Sequence, residues 1–192
     1  MMERAVEQAD SIRVRIRAAY LATLTALTLL GAGAGTATAA GSRAQSVTAS
    51  NQLESEVLGE LNAIRRTHGL VPLRRSHPLS SAADSHSRAM GAFGFFSHAS
   101  RDGSVFWKRV QRFYGRSNFG TWSVGENLVW STTGLDAAGA LKLWMKSPGH
   151  RANILTPRWR EVGLSAVTVS AAPGVFGGHD VVIITSDFGV RS

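Results

Sequence analysis

The sequence contains no cysteine. Disulfide bonds, cysteine nucleophiles, cysteine-ligated zinc and thiol redox chemistry are therefore excluded. A chain of 192 residues can nevertheless bury a core large enough for one domain without such cross-links. Hydrophobic residues make up 44% and charged residues 18% of the chain, a balance that indicates a globular protein rather than a disordered one.

The N-terminal region lacks an apolar run of the about 20 residues that crossing a bilayer requires. The uncharged run Ala18–Leu30 has 13 residues, follows arginines at positions 13, 15 and 17, and precedes Ala37-Thr38-Ala39. A positive flank, a short apolar segment and an A-x-A pattern are typical of a secretory signal peptide. We therefore predict a signal peptide over residues 1–39, with an uncleaved anchor as the alternative, and a secreted, extracellular or cell-envelope location.

Acidic residues are few, 13 against 21 Lys and Arg, and the formal net charge is +8. Cleavage after Ala39 would remove four Arg and three acidic residues and leave +7 on the mature chain. A basic exported domain favours an anionic partner, such as a cell-envelope polymer or a lipid. Nucleic acid is disfavoured because Lys and Arg form no concentrated run, and membrane contact is expected only through the signal region.

Hydrophobic periodicity predicts several helices and then strands, after a polar linker over residues 40–50. The predicted helices are 51–67 with Asn51 and Glu54 as a capping pair, 78–90, 104–113 with Val105, Phe106 and Val110 inward, and 137–146 capped by Asp136 or Thr133. Segment 120–130 is predicted as irregular chain or a short strand, and residues 162–169 and 181–187 as a β-hairpin with a loose loop. These elements predict a mixed, layered domain over residues 51–190.

The sequence has neither an H-E-x-x-H zinc motif nor a G-x-S-x-G nucleophile motif. Three polar residues instead stand at predicted turns or element boundaries: His98 in FFSHAS, Glu126 in VGENLV and His150 in SPGHRA. A buried carboxylate is costly unless it is paired, and two histidines are its natural partners. Two imidazoles and a carboxylate also suit a divalent cation such as Zn²⁺ with one open position. Three separate structural polar groups remain an open alternative.

Five blocks of the sequence, taken in order, resemble the bacterial branch of the CAP superfamily of cysteine-rich secretory, antigen 5 and pathogenesis-related proteins. The blocks are FFSHASRDGS, VGENLVW, LWMKSPGHRANIL, WREVGLSAV and TSDFG, and the resemblance extends over about residues 53–189. It implies an α+β fold, a three-layer α-β-α sandwich with a central antiparallel sheet and a shallow open cleft. Within these blocks His98, Glu126 and His150 match the residues of the family's cleft, so the resemblance implies that they bind a ligand or metal there.

The chain departs from the family pattern at one position. Many eukaryotic members carry a second glutamate three residues after the helix tryptophan, whereas Ser147 follows Trp144 at that spacing here. The lower negative charge is expected to weaken binding of a divalent cation, since hard cations favour carboxylate oxygens. The departure also removes one candidate general base.

Four further polar residues are expected to support the cleft rather than to act in it. His86 lies on the apolar stripe of helix 78–90 and is predicted to be a hydrogen-bonded, partly buried histidine. Asn127 and Asn153 are expected to brace nearby backbone. Asp187, in the last predicted strand, is a candidate carboxylate behind the site.

Two functions are consistent with these residues. The first is an exported binding domain whose cleft holds a divalent cation, a lipid or another small ligand without turnover. The second is a hydrolase of envelope material, such as a peptidase, in which Glu126 is the general base and His98 and His150 orient water directly or through a metal. An interaction protein with a purely structural cleft is a third interpretation, because one scaffold hosts many functions.

Overall fold

The structure of the chain, a computed structural model, describes residues 44–132 and 134–192. The predicted signal peptide and Thr133, one of the two predicted caps, lie outside the described residues. The helices are α1 (Asn51–Thr67), α2 (His77–Phe93), α3 (Phe106–Phe113), α4 (Ala137–Lys146) and α5 (Pro148–Leu155), and the strands are β1 (Ser46–Ala49), β2 (Arg74–Arg75), β3 (Trp122–Ser131), β4 (Glu161–Ala172) and β5 (His179–Arg191).

The strands form one sheet in the order β1-β4-β5-β3, with β2 beside β4. The pairs are antiparallel except for the two-residue pairing of β2 with β4. β4 and β5 form the predicted hairpin, and a short 3-10 turn over Gly174–Phe176 lies in its loop. Within the described residues β3 pairs only with β5, so β3 lies at one edge of the sheet.

Helices cover both faces of this sheet. Leu164 and Ala166 of β4 face one side, where they share a core with residues of α1, α4 and α5. Val167 and Val169 face the other side and pack against Met90 of α2, and α3 packs beside α2 on that side. The three-layer α+β fold is therefore confirmed.

The first helix has the predicted bounds, but its predicted cap is wrong. Ser50, one residue earlier than expected, accepts a hydrogen bond from the backbone N–H of Leu53 at 3.3 Å. Glu54 does not reach back to the helix start. It accepts from Arg75 at 2.9 Å and from the backbone N–H of Ala166 at 3.3 Å, and so ties α1 to the sheet.

The helices α2 and α3 differ slightly from their predicted bounds. α2 extends to Phe93 and ends at Gly94, whose φ of 68° is the left-handed conformation that suits glycine. α3 begins at Phe106, so Val105 precedes the helix and is exposed rather than inward as predicted. Val110 is fully buried, as predicted.

Two further segments belong to the sheet, one predicted as irregular chain or a short strand and one predicted as linker. Most of segment 120–130 belongs to the ten-residue strand β3, which ends at Ser131. The glycine at 125 suits the strand because a Cβ there would lie 3.0 Å from Asn153 and 3.1 Å from Trp159. Residues 46–49, predicted as linker, form β1 and pair with Val167–Ser170 of β4. β1 is a short, mostly exposed edge strand, so its sequence carries no apolar pattern.

The break between α4 and α5 is a single residue. Asp136 caps α4 by accepting from the backbone N–H of Gly139 at 2.7 Å, which confirms one of the two predicted caps. Ser147 ends α4, and Pro148 begins α5 at once. His150 therefore lies in the first turn of α5, directly after the predicted element boundary.

Candidate functional site

Glu126 lies in the middle of the edge strand β3, not at a predicted turn, and its side chain is fully buried. Its Oε1 is 2.8 Å from Nδ1 of His98. Since a carboxylate only accepts, Nδ1 of His98 carries the proton of this hydrogen bond. The imidazole of His98, from the loop between α2 and α3, is 28% exposed, so the pair connects the interior to solvent.

Arg109 completes the environment of Glu126 and was not predicted. One guanidinium nitrogen donates to Oε2 of Glu126, and another donates to the backbone oxygen of His98 at 3.3 Å and to Oγ of Ser100 at 3.0 Å. Arg109 is buried, on the inner face of α3. The sequence did contain one indication of Arg109: it lies three residues after Phe106 and therefore on the predicted inward face of that helix.

His150 approaches the site from the opposite layer. Its ring centroid lies 6.4 Å from that of His98, with the two rings tilted by 50°. Asn127 donates to the backbone oxygen of His150 at 3.0 Å. Asn153 donates to the backbone oxygen of Glu126 at 3.0 Å and to Oδ1 of Asn127 at 2.9 Å. The predicted bracing role of both asparagines is therefore confirmed, and the three predicted site residues lie together beside the sheet edge.

Asp187 lies directly behind Glu126. The two residues are register partners across β3 and β5, and Asp187 is fully buried. Burial opposes ionisation of Glu126, but the hydrogen bond from His98 and the charge of Arg109 hold its pKa below the ordinary value. Burial, and next the charge of Glu126, raise the pKa of Asp187 well above its ordinary value. The two neighbouring carboxyl groups therefore differ, one ionised and one favouring its neutral form.

A family model described as the cysteine-rich secretory protein family, CAP, matches residues 58–183. The chain belongs to the CAP family. Two curated relatives come from Bacillus subtilis (strain 168): the uncharacterized protein YkwD, 33% identical over 115 residues, and the uncharacterized membrane protein YlbC, 30% identical over 111 residues. These matches cover 59% and 58% of this chain but only 42% and 30% of the relatives' lengths.

Two solved structures resemble the fold described here. An extracellular protein containing an SCP domain from Bacillus anthracis str. Ames is 27% identical with a TM-score of 0.56, covering 74% of this chain and 41% of that chain. An outer surface protein from Borrelia burgdorferi has a TM-score of 0.60 at 15% identity, covering 78% of this chain and 100% of that one. In residues 44–132 and 134–192, no helix is long and apolar enough to span a membrane.

The two imidazoles and the carboxylate predicted a divalent cation such as Zn²⁺ at this site. Both carboxylate oxygens of Glu126 already accept hydrogen bonds, from His98 and Arg109, and a cation there would lie against the guanidinium charge. No group of three or more His, Asp or Glu side chains among the described residues could hold a metal ion. The arrangement does not fit a metal site that includes Glu126. Whether the protein binds a divalent cation is a question for metal analysis of the purified protein.

His86 lies on α2 next to the site and is 1% exposed. Its Nε2 is 2.8 Å from the backbone oxygen of Ser97, the residue before His98. The prediction of a buried, hydrogen-bonded histidine is therefore confirmed. Burial lowers the pKa of His86 to about 4, so the imidazole is neutral near pH 7 and donates to Ser97.

We expect His86 to make stability depend on pH between its ordinary pKa of 6.5 and its folded pKa of about 4. As the pH falls through this window the unfolded state binds one more proton than the folded state, so stability that is complete above pH 6.5 is lost towards pH 4. Across this window His86 accounts for a loss of about 3 kcal/mol in the free energy of unfolding. Urea unfolding at a series of pH values measures the free energy of unfolding, which should fall less steeply between pH 6.5 and 4 in His86→Gln than in the wild type.

The control for this prediction is His77→Gln, an exposed histidine on the same helix. This variant should show the same dependence of the unfolding free energy on pH as the wild type, because the side chain lies in solvent, away from the buried His86. Equal slopes for the wild type and His86→Gln would contradict the assignment.

Proposed function

We propose that this CAP domain is exported and binds a small ligand with a polar headgroup in the cleft between His98 and His150, without turnover. The predicted signal peptide and the likeness to an extracellular SCP-domain protein support export. The two imidazoles support a polar ligand, since both can donate or accept a hydrogen bond. The net charge of +7 on the predicted mature chain favours an anionic headgroup.

The observation that carries this proposal is the environment of Glu126. The carboxylate is fully buried, and each of its oxygens is held by a donor, His98 or Arg109. It therefore orients the imidazole of His98 and fixes which nitrogen is protonated. With Nδ1 committed to Glu126, Nε2 is the nitrogen of His98 that is left for a ligand.

The hydrolase hypothesis finds less support in this geometry. It requires Glu126 to act as a general base, and a general base must reach the proton that it abstracts. The carboxylate of Glu126 is buried behind His98 and Arg109, which also hold its pKa down and so weaken it as a base.

A titration of the purified protein with glycerol 3-phosphate tests the binding proposal. Histidine C–H resonances should shift for His98 and His150, and His98→Asn should weaken binding by about tenfold, the loss of one hydrogen bond to a charged group. His77→Asn, an exposed histidine outside the site, should bind like the wild type.

Two outcomes would overturn the proposal. The first is that the resonances of His98 do not shift, whether or not those of other residues do. The second is hydrolysis of a peptide library by the wild type that disappears in Glu126→Gln, which would establish the hydrolase instead. A parallel titration with Zn²⁺ reports whether the two imidazoles bind a cation. If Zn²⁺ binds tightly to the wild type but not to His98→Asn or His150→Asn, the ligand of this site is a metal ion rather than a headgroup.

A further inference from the structure

The outer surface of α3 is basic. Lys108 and Arg112 are exposed on this helix, whereas Arg109 and Val110 face inward. None of its eight residues is acidic. The cation of Lys108 lies 5.8 Å from the centroid of the Trp107 ring, which is itself partly exposed.

Exposed phenyl groups accompany these charges. Phe113 ends α3 and is 42% exposed, and Phe119 in the following loop is 40% exposed. Arg116 lies between them in sequence and is also exposed. Three of the six exposed large hydrophobic residues in the described chain, Val105, Phe113 and Phe119, flank or end this one helix. We call Lys108, Arg112, Phe113, Arg116 and Phe119 the basic-aromatic face.

The fold holds part of this face in place. The guanidinium of Arg191, at the end of β5, lies 4.9 Å from the ring centroid of Phe119 and 4.0 Å from that of Tyr114. It also donates to the backbone oxygen of Gly115 at 3.3 Å. Arg191 therefore adds a cation beside an exposed phenyl group and fixes the loop that carries it.

Two acidic residues border the face. Asp102 interacts electrostatically with Arg112, and its side chain also accepts from the backbone N–H of Ser104. Glu161 accepts the hydroxyl proton of the buried Tyr114. The four cations at 108, 112, 116 and 191 outnumber these two carboxylates, so the region keeps an excess of positive charge.

We propose that the basic-aromatic face docks on an anionic lipid bilayer. Basic side chains attract anionic headgroups, and exposed aromatic side chains insert at the boundary between headgroups and acyl chains. An anionic polymer would be bound by the charges alone and would give the exposed phenyl groups nothing to bury in. The contact is separate from the predicted signal region and from the headgroup cleft.

The helix α3 carries part of the basic-aromatic face on its outer side and contacts Glu126 and His98 on its inner side. Docking by this face would therefore bring these site residues close to the membrane. The inner side of α3 carries Arg109, which holds Glu126, and Phe106, whose ring centroid lies 6.4 Å from that of His98.

Cosedimentation of the full chain with vesicles tests the charges. The protein should bind vesicles of phosphatidylglycerol and phosphatidylcholine in equal parts, bind phosphatidylcholine vesicles weakly, and lose binding at high salt. Lys108→Gln/Arg112→Gln should weaken binding by about 30-fold, since each cation near an anionic surface contributes about fivefold. The charge-matched control Lys142→Gln/Lys146→Gln removes two exposed cations from α4, on the opposite layer, and should have little effect.

A second pair of variants separates a bilayer from a soluble polyanion. Phe113→Ser/Phe119→Ser should weaken vesicle binding by at least about tenfold and leave binding of inorganic polyphosphate unchanged, because only the bilayer buries the rings. Val71→Ser/Val175→Ser removes two exposed apolar side chains elsewhere and should bind vesicles like the wild type. Thermal unfolding confirms that each variant folds. Equal binding of all variants, or dependence on the charges but not on the rings, overturns the proposal.

Discussion

Replacing Arg109 by methionine is expected to destabilise the fold by about 3–5 kcal/mol, as the loss of one partner from a buried ion pair does. The Arg109–Glu126 pair is almost completely buried, with side-chain exposures of 6% and 0%. Methionine fills a similar volume but leaves the carboxylate of Glu126 without its cation and next to Asp187. It also removes two hydrogen bonds to the loop that carries His98. Urea unfolding at neutral pH measures the loss.

Three controls make this prediction specific. Arg112→Met removes a cation from the exposed side of the same helix and should change stability by less than about 0.5 kcal/mol. The double variant Arg109→Met/Glu126→Gln should recover much of the loss, because no buried charge then lacks a partner. The deficit of Arg109→Met should also shrink at acidic pH, where Glu126 can take up a proton. A loss below about 1 kcal/mol at neutral pH would show that Glu126 is stabilised by other groups.

The sequence was sufficient to single out His98, Glu126 and His150 as candidates, because the signal for each is local. His98, Glu126 and His150 each stand in a short block of small and apolar residues that resembles a CAP motif. Their proximity depends on contacts between segments that are distant in the chain, and no single block predicts those contacts. The likeness to the family supplied that step, and the structure places His98 against Glu126 and His150 beside His98.

Arg109 was missed because a helical pattern is normally interpreted through its apolar residues. Phe106 and Val110 indicated the inward face of α3, and a cation on that face was not connected with a carboxylate 17 residues away. A buried Glu126 needs a compensating charge. A histidine supplies a charge only when it is protonated, so a permanent cation could have been sought among the arginines on inward faces.

The strand predictions were incomplete for two strands without an alternating apolar face: β1 was predicted as linker, and β3 as irregular chain or a short strand. The edge strand β3 contains Gly125 and polar residues that serve the site, and these interrupt the pattern of two. β1 has four residues, and its partner β4 begins more than a hundred residues later in the chain. Only the pairing of distant segments makes either one a strand. The helices α1 and α4, which bury a continuous apolar stripe, had the predicted bounds.

The second large effect is expected at Gly163, the residue of β4 that pairs with Asp187. A Cβ at this position would lie 2.0 Å from the carbonyl carbon of Leu79 and 2.2 Å from the backbone nitrogen of Ser80. Both atoms belong to the backbone of α2, which cannot yield as a flexible side chain would. Gly163→Ala must therefore displace the start of α2 from the sheet and break the 3.2 Å hydrogen bond from the backbone N–H of Leu164 to Oγ of Ser80.

We expect Gly163→Ala to destabilise the protein by about 3 kcal/mol or more, at the upper end of the range for overpacking a core. The same substitution at Gly59, in the middle of α1, should instead stabilise it by about 0.5–1 kcal/mol. A Cβ there would meet nothing within 4 Å beyond its own helix backbone and chain neighbours, and alanine favours the helix. Urea midpoints of the two variants should therefore move in opposite directions from that of the wild type. A neutral Gly163→Ala would mean that α2 does not pack on β4 at this distance. Since α2 carries His86, whose hydrogen bond to Ser97 anchors the residue before His98, it would also mean that α2 does not fix the position of His98.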